Sequence, residues 1–109
     1  MVEMTKNKRY SERSIQALLE NYSELKQTLT DANPSHMDPV YDFEKAISSV
    51  ILSDLQRKVL EAKYFRYNGV ISNAQAADLL NVSLSSVEKS VREIKDAFLS
   101  EMNRGIADA

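Results

Sequence analysis

The stretch Ser72-Asn-Ala-Gln-Ala-Ala-Asp-Leu-Leu-Asn-Val-Ser-Leu-Ser-Ser-Val87 decides how this chain is read. Ser72 and Gln75 have the spacing of a capping box, in which the serine hydroxyl takes a free N–H of the first helical turn and the glutamine side chain returns to the serine N–H. Asn81 suits the left-handed backbone conformation that ends a helix. Ser83 can cap the next helix, with Val82 before it and Val87 inside it placed as a hydrophobic staple. The spacing therefore predicts a short helix over 73–80, a turn Asn81-Val82-Ser83 and a second helix from Leu84. Helices joined by so short a turn cannot lie antiparallel and must cross steeply, and the small Ala77 lets them approach. That is a helix-turn-helix; an ordinary helical corner is the alternative.

Outward from this unit the chain reads as helical. Val87, Val91, Ile94 and Phe98 recur at three and four, which carries the second helix to about Met102, with Arg104–Ala109 as a fraying tail. Val91 takes the inward role here, and Ser90 stands where simpler helix-turn-helices carry an apolar residue. Towards the N-terminus, Ser53 and Gln56 form a second capping box before a helix with Leu55, Val59 and Ala62 along one edge and Leu60 and Tyr64 widening it. Tyr67-Asn68-Gly69 is a turn signal. Asp42 is placed to cap a shorter helix whose apolar face is Phe43, Ile47, Val50 and Ile51. The acidic segment before it holds both prolines and the single histidine, His36, and reads as a linker with a solvated histidine.

A further amphipathic helix is predicted from Ser11 to Leu29, with Ile15, Leu18, Leu19, Tyr22, Leu25 and Leu29 on one stripe. Within it Ile15, Leu18, Tyr22, Leu25 and Leu29 keep heptad spacing for about two heptads, so the stripe can pack on its own domain or form the seam of a homodimer. The expected fold is all-α. It comprises a basic N-terminal tail (1–10), an amphipathic helix (11–30), an acidic linker (31–41), a helix-turn-helix domain (42–103) with a long C-terminal recognition helix, and a C-terminal tail (104–109).

Composition narrows the function. The chain has 109 residues, no cysteine and one histidine, which excludes disulfides, thiol nucleophiles and thiolate or histidine-rich metal sites. Apolar runs are far shorter than the ~20 residues of a membrane span. Met1–Tyr10 is charged, without the apolar core of a secretory signal, and a cytoplasmic location is expected. Asp38, Asp42 and Glu44 can be drawn as a carboxylate cluster, yet acids are favoured at a helix start by the dipole. Without a glycine-rich phosphate loop, an HExxH or a nucleophile paired with a base, no catalytic residue, metal or cofactor is expected.

The formal net charge is −2, which argues against nucleic acid until it is resolved by segment. Lys6, Lys8, Arg9 and Arg13 outweigh Glu3 and Glu12 at the N-terminus. Arg57, Lys58, Lys63 and Arg66 outweigh Glu61 in the helix before the turn, while Asp31, Asp38, Asp42 and Glu44 gather in and after the linker.

Leu52-Ser-Asp-Leu-Gln-Arg-Lys-Val-Leu-Glu-Ala-Lys-Tyr-Phe65, followed by the stretch from Ser72 to Val87, resembles the C-terminal promoter-reading region of sigma factors. Ala17-Leu-Leu-Glu-Asn-Tyr-Ser-Glu-Leu-Lys26, Tyr41-Asp-Phe-Glu-Lys-Ala-Ile47 and Ile94-Lys-Asp-Ala-Phe98 resemble, more narrowly, the ArpU/RinA-like phage transcriptional regulators. The resemblance covers roughly Ala17 to Met102. It implies a DNA-binding regulator, an activator of late packaging or lysis genes, encoded by a phage or prophage and working in the bacterial cytoplasm on double-stranded DNA with RNA polymerase as partner. The alternative is a helical adaptor that grips polymerase or another protein through the same surface without reading DNA.

The resemblance also implies that the helix after Ser83 enters the major groove, with Leu84, Ser85, Ser86, Glu88, Lys89 and Arg92 at base edges. Their chemistry suits this: Leu84 can meet a thymine methyl, the serines can donate or accept, Glu88 can accept from a cytosine amino group, and Lys89 and Arg92 can reach guanine or phosphate. An exposed Glu88–Arg92 ion pair is the plainer reading of those two residues. Ser83 and the N–H groups behind it can hold a phosphate. Arg57, Lys58, Lys63 and Arg66 supply the rest of a phosphate clamp, or else form a solvated face. Four such contacts give a slope of about −3.6 for log affinity against log salt. The chain departs from the sigma-like pattern in lacking an arginine in the first turn of the recognition helix and in the longer loop from Arg66 to Ile71.

Overall fold

A computed structural model describes residues 10–29, 38–66 and 69–108. It is all-helical over these residues: α1 (Glu12–Leu29), α2 (Asp38–Ser49), α3 (Asp54–Leu60), α4 (Asn73–Leu80) and α5 (Leu84–Asp108), with a π-helical turn, Glu61–Phe65, continuing α3. Lys6, Lys8, Arg9, His36, Tyr67 and Asn68 lie outside the described residues, as do the side chains of Leu25 and Leu29.

α5 is the spine. At 25 residues it is about 37 Å long, and α1, α2, α3 and α4 all pack on it. Its Val87, Ile94 and Phe98 are fully buried at successive levels. The first level holds the α3–α4 pair. The second is aromatic: Phe98 stacks on Phe43 of α2 at 4.9 Å between centroids, and Tyr22 of α1 meets Phe43 at 5.3 Å and Phe65 at 4.9 Å. α1 is thus part of the same core as α3, α4 and α5. Ile15, Leu18 and Tyr22 are buried inside the chain, so the described part of the heptad stripe is a packing face.

Several elements differ from the sequence expectation. α2 begins at Asp38 rather than Asp42, so residues 38–41 of the predicted linker are helical. Pro39 lies in the first turn, where its missing N–H would have had no partner and its fixed φ suits a helix. Asp42 is not a cap; it accepts a 2.5 Å hydrogen bond from the Tyr10 hydroxyl. Ile51, placed by periodicity on the apolar face, is 91% exposed, because α2 stops at Ser49 and the helical phase is lost beyond it. Ser90 is buried at 3% exposure and Val91 only partly, the reverse of the predicted roles: Val87, Ser90, Ile94 and Phe98 share the stripe turned inward. The predicted C-terminal tail is helical to Asp108.

Tyr10, assigned by sequence to the basic tail, is 3% exposed. Its N–H donates to Asn103 Oδ1 and its carbonyl accepts from Asn103 Nδ2, both at 3.0 Å, which fastens the start of the described chain to the far end of α5. Ser11 then caps α1, accepting from the Ser14 N–H at 3.1 Å.

Candidate nucleic-acid interface

The short helices α3 and α4 and the start of α5 are built by local chemistry. Ser53 Oγ accepts from the Gln56 N–H at 3.1 Å and Gln56 Oε1 from the Ser53 N–H at 2.9 Å. Ser72 and Gln75 repeat the box at 3.0 and 2.9 Å. Each box satisfies two N–H groups that would otherwise lack a partner. Gln56 does more, since its Nε2 donates to Glu93 Oε1 at 2.7 Å and docks the start of α3 on α5.

α4 ends in a Schellman motif. Asn81 has φ 59 and ψ 47, the Val82 N–H donates to the Ala77 carbonyl at 3.0 Å, and the Asn81 N–H reaches the Asp78 carbonyl at 3.3 Å. Ala77 is buried at the helix crossing, Val82 packs partly into the core and Val87 is fully buried, so the staple forms as predicted. Ser83 Oγ accepts from the Ser86 N–H at 3.1 Å and donates to Ser86 Oγ at 2.8 Å, capping α5.

This presents the first turns of α5 to solvent. Leu84, Ser85, Glu88, Lys89 and Arg92 are exposed, as is Ser83, and Ser86 is half-buried against the cap. Glu88 and Arg92 make no ion pair with each other, so both heads are available. Leu84 is an apolar side chain held open at the tip of the unit. The surface mixes one apolar group, hydroxyls, one acid and two bases.

The predicted phosphate clamp divides. Arg57 is committed to the fold, its guanidinium donating to the Ile47 and Val50 carbonyls at 3.3 Å each, where it closes the end of α2. Lys63 is 9% exposed and its Nζ donates to the Ile71 carbonyl at 2.7 Å. The i, i+3, i+4 pattern Val59, Leu60, Lys63, Tyr64 could have placed it inward; nothing local marks Arg57, whose partners lie in the preceding helix.

Lys58 and Arg66 are exposed. With Glu61 they edge an open depression of about 330 Å³ floored by Ala62, Phe65 and Leu80. None of these residues belongs to α5. Gln56 marks the edge of α3 that faces α5, and Lys58 lies about 200° further round the helix, so this depression opens on the other side of the α3–α4 pair. Sequence reading did not find it, because Phe65 and Leu80 meet only when α3 and α4 are packed.

Among the described residues no helix is long and apolar enough to cross a membrane. Comparison with protein-family models, with characterised proteins and with solved structures gave no match.

Proposed function

We propose that this chain is a sequence-specific DNA-binding transcriptional regulator, with the N-terminal turns of α5 read into the major groove of double-stranded DNA. The observation that carries this is the α4–α5 pair: a Schellman-ended α4, a three-residue turn and a capped α5 whose Leu84, Ser85, Glu88, Lys89 and Arg92 are exposed together. The ArpU/RinA-like resemblance supports an activator of phage or prophage late genes that works with RNA polymerase. With Arg57 and Lys63 engaged inside the fold and Lys58 and Arg66 on the side turned away from α5, the cations left for the duplex are Lys89 and Arg92 of α5. The expected salt slope is then about −1.8 rather than −3.6.

A mobility-shift titration against the duplex upstream of the chain's own coding sequence tests the reading. Lys89→Ala with Arg92→Ala should weaken binding at least tenfold and flatten discrimination against an unrelated duplex. Unchanged binding by the double variant would remove α5 from the interface, and a slope of zero for the wild type would remove DNA.

A second reading is favoured by the depression between α3 and α4. Its apolar floor and the rim of Lys58 and Arg66 suit a protein segment with an apolar side chain beside an acid, which is the geometry of an adaptor gripping polymerase or another protein. Under this reading Lys58→Glu abolishes complex formation with polymerase and leaves duplex binding within about threefold.

A further inference from the structure

Among the described residues, Lys63 is the one buried charged side chain. It lies on the inward stripe of Val59 and Leu60 and sits in the π-helical turn. There the Arg66 N–H donates to the Glu61 carbonyl at 2.7 Å, five residues back, and the widened turn buries Ala62, Lys63 and Tyr64 in succession. Lys63 Nζ then reaches the Ile71 carbonyl at 2.7 Å, and the Ile71 N–H returns to the Lys63 carbonyl at 3.2 Å. These two bonds bracket the whole loop between α3 and α4. They close on the residue immediately before Ser72, the cap of α4.

The surroundings do little to favour an ammonium. The Tyr64 ring lies 5.5 Å from Nζ, Glu20 of α1 attracts it from beyond ion-pair distance, and Lys95 of α5 repels it. Burial pushes Lys63 below the usual lysine range. A buried ammonium without a carboxylate partner is unfavourable for folding, and an apolar chain of the same length would pack there more easily. What that apolar chain cannot supply is the bond to Ile71.

We infer that Lys63 is the positioning residue of the helix-turn-helix, holding the start of α4 on the end of α3 and so fixing how the α4–α5 pair is offered to its target. The positioning concerns the fold alone; its consequence for the target rests on the DNA-binding reading. It follows that Lys63 trades stability for geometry, so removing its charge separates two properties that a merely structural residue would lose together.

The test uses the full chain with Lys63→Met, which keeps the length and apolar stem but donates nothing, and Lys63→Arg, which still donates. Lys63→Met should keep or raise the denaturation midpoint. Amide exchange at Ala76 and Ala77 in α4 should nevertheless rise about tenfold or more, with Ile94 and Phe98 in α5 unchanged. Affinity for the upstream duplex should fall at least tenfold, and Lys63→Arg should restore most of both. A Lys63→Met protein that fails to fold, loses protection uniformly, or keeps α4 protection and duplex affinity at wild-type levels overturns the assignment. A wild type that binds no duplex sinks the DNA reading instead, and α4 exchange then still decides the role of Lys63.

Discussion

The two ends of α5 are held by different kinds of interaction. Around its N-terminus, α3, α4 and the turn are shaped mainly by bonds between residues three to five apart, namely two capping boxes, a Schellman motif and a serine cap, with the side chains of Gln56, Arg57 and Lys63 making the longer ones. Around its C-terminus the bonds span the chain. Tyr10 pairs with Asn103 and Asp42, the Tyr22 hydroxyl donates to Glu44 at 2.9 Å, and Ser49 Oγ donates to Glu101 at 2.8 Å. The difference teaches that the candidate reading head is specified mostly by local bonds, whereas its base exists only once distant segments have met. Loop-closure entropy has to be overcome before the second set contributes anything.

Three substitutions sharpen this contrast. The largest effect is expected from Phe98→Ala, which removes a fully buried ring stacked on Phe43 in the long-range half. Equilibrium denaturation should show a loss of about 3–5 kcal/mol, shared by the whole chain because α5 runs through both halves. A loss confined to α1 and α2, with α4 untouched, would break the picture of one core.

Asn81→Val comes next. A branched side chain at φ 59 is expected to cost about 2 kcal/mol, while Asn81→Gly should be within a few tenths of the wild type. Equal effects from the two would mean that the turn does not depend on left-handed backbone at this position.

The smallest effect has the opposite sign. Tyr64 is 2% exposed and its hydroxyl has no hydrogen-bond partner, so Tyr64→Phe should stabilise by about 1 kcal/mol at neutral pH. Burial pushes the Tyr64 hydroxyl up to about 12, with Glu20 adding to the shift, and burial also raises Tyr22, with Glu44 adding to it. A raised value means that the folded state keeps its proton after the unfolded chain has lost it. The stability from this is complete below pH 10 and is lost as pH rises from about 10 towards 12. Denaturation midpoints should therefore fall across that window, and less steeply in Tyr64→Phe. An identical slope in the variant would show that Tyr64 does not contribute.

Most of the local structure from Ser53 to Val87 was legible in the residues. Ser53, Gln56, Ser72, Gln75, Asn81, Ser83 and Val87 take the predicted conformations because capping and left-handed termination depend on neighbours a few positions away. The start of α2 was legible in principle, since Asp38-Pro39 has the form of a helix beginning rather than a linker. The inward roles of Ser90 and Lys63 turn on which of two adjacent residues completes a stripe. That depends on the rotation of the helix against its neighbours.

The clamp shows the limit most clearly. Four basic residues in one short helix look equivalent as a sequence, yet Arg57 caps a preceding helix, Lys63 brackets a following loop, and Lys58 and Arg66 edge a depression turned away from α5. By itself the sequence determined the all-α class, the turn and the open tip of α5, because these rest on hydrogen bonds within a turn or two of helix. Only the tertiary structure decided which cations are free, where α1 packs and how Tyr10 is held. A long side chain finds its partner by proximity in space, and spacing along the chain does not encode that proximity.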